Sequence, residues 1–277
     1  MNMSWLQAAL YGIVSGLTEF LPVSSQAHQL ILRSLFGADD VDYLLNFFAH
    51  AGMLAGLLLS TGSYIKNAAN EYRFSKSSRR RRKREVNLQA VCDINFVKTA
   101  CIPMLLSFLL YAKTQKWQNT VPLVSLFLLL NGIVLLVPMY LSRGNKDSRN
   151  MSTVDGALFG VLSALSVLPG VSRVGTGCSF ATARGAEPQH AYKWSLLLSI
   201  PVLIVLTCFD LVSLFTVGMA GAGALYVIKC ILCGACAYVG AGLAILLMKT
   251  LTVRNNLSLF SYYSIGAALF AFILYLY

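Results

Sequence analysis

Six stretches of this sequence stay apolar for close to the roughly 20 residues that a helix needs to cross a bilayer. They lie at 44–63, 95–112, 121–141, 190–214, 223–248 and 257–276. In lipid every backbone polar group must be satisfied internally, so such stretches form helices. Composition agrees: 57% of the 277 residues are hydrophobic and only 12% are charged, about half the charge of a soluble domain. Mean hydropathy is +0.66. The expected fold is an all-α polytopic membrane protein, one integral unit over 1–277. Residues 1–10 carry no basic n-region and no small-residue cleavage site follows, so the start does not read as a secretory signal.

Two further apolar segments, 4–36 and 154–184, are interrupted midway by proline and small polar residues. Each reads as two half-helices joined by a turn, a broken re-entrant pair. Non-helical backbone is tolerated at membrane depth where protein buries it or water reaches it.

The net charge of +11 is concentrated in one run, Arg79-Arg80-Arg81-Arg82-Lys83-Arg84, with Lys66, Arg73 and Lys76 nearby. No aromatic residues interleave it and no nucleic-acid module surrounds it, so no nucleic-acid partner is expected. The run is a topology signal that places 64–94 in the cytoplasm, and anionic lipid head groups are its expected contacts. Alternation then puts 142–153 inside as well, and 37–43, 113–120 and 215–222 outside. Both termini fall outside. The seven cysteines are scattered; Cys230, Cys233 and Cys236 are spaced three apart with no histidine or carboxylate close by, and read as small packing residues.

Under this topology the first broken segment enters from outside and the second from inside. The sequence repeats accordingly. Residues 12–25 read GIVSGLTEFLPVSS and residues 160–173 read GVLSALSVLPGVSR. Gly12 aligns with Gly160, Ser15 with Ser163, Thr18 with Ser166, and Val23-Ser24 with Val171-Ser172. A second pair follows in the same order, KTACIP from Lys98 to Pro103 and KWSLLLSIP from Lys193 to Pro201. The expectation is an inverted repeat, 1–141 against 154–277. Paired broken helices of this kind hold a binding site near the bilayer midplane.

In the first motif Glu19 lies one turn after Ser15 on the same helical face. Pro22 ends the half-helix, Ser24 or Ser25 caps the next, and His28 follows one turn on. In the second motif Pro169-Gly170 makes the turn, Ser172 caps, and Arg173 sits in the first helical turn. A carboxylate inside a membrane is costly and marks function by default. An arginine there needs an anion: Glu19 as a structural partner, or a phosphate, which guanidinium grips bidentately. Two half-helix N-termini would add donors. His50 either reaches this site or bonds a neighbouring helix; Asp210 and Lys229 read as edge or interhelical residues.

Glu19-Phe-Leu-Pro-Val-Ser-Ser25 with His28, then Pro169-Gly-Val-Ser172-Arg173 and LLLSIP, resembles the undecaprenyl-pyrophosphate phosphatase family, also called bacitracin-resistance proteins. The resemblance covers nearly the whole chain. It implies hydrolysis of undecaprenyl pyrophosphate, a polyprenyl pyrophosphate lipid, to the monophosphate carrier used in cell-wall synthesis. It implies a bacterial cytoplasmic membrane, a site open to the outer face and a divalent cation, magnesium or calcium, and it leaves a homodimer open. Carried over by position, Glu19, Ser25, His28 and Arg173 form the implied catalytic set, with Glu19 as metal ligand. Ser15, Ser24, Gly170, Ser172 and Thr176 are the implied substrate contacts. Ser25, His28 or a water is the attacking group. The chain departs from the family's pattern in several places. Ser15 replaces its first Glu or Gln, Ser163 replaces a Gln, Gln26-Ala27 stands for Thr-Gly, and Val174 and Gly177 stand for Ser and Thr. One carboxylate then remains for the cation. A polyprenyl-phosphate transporter and a non-catalytic lipid-phosphate binder are the competing readings.

Overall fold

The computed structural model describes residues 3–37, 41–77, 84–142, 144–217, 223–254 and 258–276. Ten α-helices carry the described chain: α1 (Trp5–Phe20), α2 (Ser25–Leu35), α3 (Tyr43–Ser75), α4 (Leu88–Thr114), α5 (Val121–Leu136), α6 (Thr153–Ala164), α7 (Arg173–Ala183), α8 (Pro188–Val217), α9 (Ala224–Arg254) and α10 (Ser258–Leu276). No strand occurs among the described residues. Six helices are long and apolar enough to cross a bilayer, namely α3, α4, α5 with its 3-10 extension, α8, α9 and α10. The chain is a multi-pass membrane protein. Its outer surface is apolar: Leu59, Leu109 and Phe215 stand 73%, 78% and 83% exposed, positions that lipid rather than water accommodates.

The helices outrun the apolar stretches. α3 continues through the polar residues 64–75, and α4 begins at Leu88 rather than near 95. No glycine or proline lies between 64 and 75, and a helix propagates through good formers past the membrane edge. Asn87 accepts from the backbone of Ala90 at the start of α4. α9 likewise runs through Lys249 to Arg254, where a connection was expected. Of the basic run, Arg84 pairs with Glu71 at 2.5 Å. Arg79 to Lys83 lie outside the described residues, as do Asp39, Asp40 and Arg143.

The four short helices make two pairs. At about 1.5 Å per residue, the 11 residues of α2 and of α7 fall well short of a bilayer core of about 30 Å. α1 packs on α2, and α6 on α7. The long helices enclose them: α1 lies chiefly along α9, and α6 along α4. Two aligned glycines make both contacts possible. A Cβ at Gly12 would stand 2.1 Å from the Cys233 carbonyl oxygen, and one at Gly160 would stand 2.2 Å from that of Ala100. Bare backbone at these two points lets the helices approach closely, the usual device for helix packing in lipid. The second sequence pair does not fall on equivalent helices: Pro103 lies inside α4, the fourth helix of its half, and Pro201 inside α8, the third helix of its half.

Candidate active site

The first broken pair delivers a carboxylate and the second delivers a guanidinium. Glu19 sits one residue before the end of α1, and Arg173 is the first residue of α7. Their side chains are 11% and 6% exposed, and Arg173 Nη2 lies 2.5 Å from Glu19 Oε1. An unpaired arginine buried this fully would be costly, and the pairing offsets that cost. Ser199 of α8 completes the anchor. Its Oγ accepts from Arg173 Nη2 at 3.1 Å and Nε at 3.3 Å, and it donates to the Ser195 carbonyl. The guanidinium of α7 is thus held by residues from two other helices, α1 and α8.

Both turns are fixed by unusual backbone. Ser24 has φ +64°, and Gly170 has φ +111°. A non-glycine residue at positive φ costs about 1–2 kcal/mol and persists where its surroundings over-determine it. Ser24 occupies the N-cap position of α2, yet its side chain caps nothing, and its buried Oγ has no protein partner. Ser172 does cap α7, accepting from Gly175 N at 3.1 Å. Asn131 of α5 ties the turns together. Its Nδ2 donates to the Pro22 carbonyl at 3.1 Å, and its Oδ1 accepts from Ser172 N at 2.9 Å.

A narrow cleft opens at this junction, about 520 Å³ when the open space at its mouth is included. Glu19, Ser24, Ser25, Ser172 and Arg173 line it, and so do Thr18 and Ser166, which the repeat aligns with each other. Its apolar wall comes from Met104, Phe108 and Tyr111 of α4 and Val202 and Leu206 of α8. These wall residues follow α4 toward 113–120 and away from the basic 76–87 connection. The first residues of α2 and α7 both face the cleft, so two positive helix ends converge there. Hydroxyls, helix ends and a guanidinium around one carboxylate make an anion site.

Other residues singled out in the sequence stand elsewhere. Ser15 is fully buried and accepts from Gln29 Nε2 at 3.3 Å instead of lining the cleft. The same amide reaches Ser25 Oγ at 3.5 Å. Thr176 spends its hydroxyl on the Ser172 carbonyl within α7, and Gly170 packs its turn against α5 at Val124. His28 turns away: its Nδ1 bonds the Ser24 carbonyl at 2.7 Å and its Nε2 the Tyr263 hydroxyl at 2.8 Å. It lines a separate, mainly apolar groove of about 540 Å³ with Val14, Leu17, Leu21, Phe260 and Tyr263. Thr18 borders both spaces. His50 does both things expected of it, lining the cleft and bonding Asp210 of α8.

The sequence model of the bacitracin resistance protein BacA family matches residues 8–270. The chain belongs to the BacA family. Undecaprenyl-diphosphatases are among its relatives. That of Thermosipho melanesiensis is 26% identical over 265 residues, covering 96% of this chain and 97% of the relative. That of Thermosipho africanus is 28% identical, covering 94% and 96%. That of Methanobrevibacter smithii is 28% identical, covering 94% of each. Within this BacA-family cleft Glu19 is the carboxylate that lines it. No group of three or more His, Cys, Asp or Glu side chains suited to a metal occurs among the described residues. A magnesium or calcium ion therefore fits only as an ion shared between Glu19 and substrate phosphates, since such ions commonly take one or two carboxylates plus phosphate oxygens.

Ser199, Asn131 and Gln29 are the site residues that sequence reasoning missed. Asn131 left a signal, being a lone amide inside the apolar run of α5. Ser199 lies within the LLLSIP segment that carries part of the family resemblance.

Proposed function

We propose that this chain hydrolyses undecaprenyl pyrophosphate to undecaprenyl phosphate and inorganic phosphate, as its relatives' names state of them. The observation that carries the reading is the pairing of a buried anion site with an apolar groove that shares Thr18 with it. A pyrophosphate head on an isoprenoid chain needs both. Arg173 leaves Glu19 for the terminal phosphate, and the first backbone N–H groups of α2 and α7 take further phosphate oxygens. Ser24 Oγ, unpartnered in the protein, donates to another. The Gln29 amide points at Ser25 Oγ, which leaves that hydroxyl's own proton for an acceptor in the cleft. Ser25 is the attacking group we favour. Glu19, released from Arg173, is the carboxylate for a magnesium or calcium ion, which would neutralise charge gathering on the phosphates.

The cleft's position supports release on the outer face of the cytoplasmic membrane. It lies toward 113–120 on α4, the end opposite the basic connection that the positive-inside rule holds in the cytoplasm. The same reading takes 1–141 and 154–277 as inverted duplicates. Its support is the common order of two short and three long helices, the matched roles of Gly12 and Gly160, and the presence of both Ser24 and Ser172 at one cleft.

The test is phosphate release from undecaprenyl pyrophosphate by the purified protein in detergent, with magnesium, with calcium and with EDTA, beside Glu19→Gln. Metal-dependent release that Glu19→Gln abolishes is the expected result. No release with the lipid still bound would replace the phosphatase with a carrier-lipid binding or transport role.

A further inference from the structure

One buried polar pair beside the cleft has no part in the assignments above. His50 of α3 and Asp210 of α8 are 160 residues apart. His50 Nδ1 lies 2.6 Å from Asp210 Oδ2, and the side chains are only 8% and 5% exposed. His50 also lines the cleft with Glu19, Ser25 and Arg173. Nδ1 is the ring nitrogen that bonds Asp210, and Nε2 of this cleft-lining ring has no hydrogen-bond partner among the described residues.

We propose that His50 is the general base of this site and that Asp210 is its positioning residue. The proposal rests on the phosphatase reading. A carboxylate on Nδ1 fixes the tautomer that carries its proton there, so Nε2 presents a lone pair. The chemistry needs such a base. The attacking hydroxyl is a poor nucleophile until its proton is removed, whereas a lipid monophosphate is a stable leaving anion. Other candidates are committed elsewhere: in the proposed reaction Glu19, once released from Arg173, is the carboxylate for the cation, and both ring nitrogens of His28 are bonded away from the cleft.

The step is as follows. Nε2 takes the proton of the Ser25 hydroxyl while Oγ bonds the terminal phosphorus. The bond from that phosphorus to the bridging oxygen breaks, and its electron pair leaves with the lipid monophosphate, which then accepts the proton from Nε2. Water attacks the phosphoserine with Nε2 taking its proton. The P–Oγ bond breaks, its electron pair returning to Ser25, which regains that proton as inorganic phosphate departs. If water attacks the pyrophosphate directly, His50 takes that water's proton in the same way.

Two measurements test this. In steady-state phosphate release, His50→Gln and Asp210→Asn should each lower kcat by about 10²–10⁴-fold, the usual contribution of a positioned base, with KM within about three-fold. The double variant should be no worse than the more damaged single, because the residues act as a unit. In ¹⁵N-histidine NMR of the wild-type protein, which has three histidines, His50 should carry its proton on Nδ1. Asp210→Asn should shift that tautomer while the protein stays folded. Wild-type kcat in both single variants, or a wild-type His50 protonated on Nε2 alone, would overturn the base and leave the phosphatase standing. A wild-type protein that releases no phosphate removes both.

Discussion

Arg173 turns one edge of its donor fork, Nε and Nη2, to Glu19 and Ser199 from a buried position. Lysine keeps the charge but lacks the planar fork. Arg173→Lys should therefore fold and bind lipid yet lose about 10²–10³-fold in kcat/KM, the range seen when one transition-state donor is removed. Wild-type kinetics in that variant would refute the phosphate role of the guanidinium. Arg173→Ala is harsher, because it strands the Glu19 carboxylate. Breaking a buried pair from one side costs about 3–5 kcal/mol, which a thermal-shift measurement would register. Ser24 makes the opposite trade. Glycine accepts φ +64° without the Cβ penalty, so Ser24→Gly should stabilise the fold by about 1 kcal/mol. It should also lower kcat/KM roughly 10–100-fold, the equivalent of one hydrogen bond to a charged group. A gain in Tm with unchanged kinetics would show that the hydroxyl is idle.

At the scale of the element, the two broken pairs were visible in the sequence because proline and small polar residues punctuate them locally. Pro22 and Pro169-Gly170 fall in the breaks between α1 and α2 and between α6 and α7. Helix ends were less visible. The apolar run marks where lipid lies, whereas a helix ends where caps and breakers say so, which is why α3 runs twelve residues beyond 63. The aligned glycines carry a prediction of their own. Gly12→Ala and Gly160→Ala should each destabilise the protein by roughly 1–3 kcal/mol, the common cost of overpacking, since each new methyl meets a backbone carbonyl that cannot swing aside. Equal losses of Tm in the two variants are expected from equivalent contacts in the two halves. A neutral Gly160→Ala beside a damaging Gly12→Ala would break that equivalence.

Over the whole molecule, orientation is set by where the cationic residues lie. A cysteine introduced at Lys116, in a background lacking the seven native cysteines, should be labelled by an impermeant reagent in intact cells. One at Lys76 should be labelled only after the membrane is opened. The reverse pattern would invert the topology and place the cleft on the cytoplasmic side. The sequence by itself determined the six spans, the two interruptions and the presence of Glu19 and Arg173 within them. Each is a property of contiguous residues: length against bilayer thickness, local breakers, and the cost of charge in lipid. Tertiary structure alone decided which polar groups share the cleft. It sent His28 to Tyr263, 235 residues away, gave Ser15 to Gln29, set Asn131 between the two turns and joined His50 to Asp210. Those pairings follow from which helix faces meet, and spacing along one helix fixes only that helix's own faces.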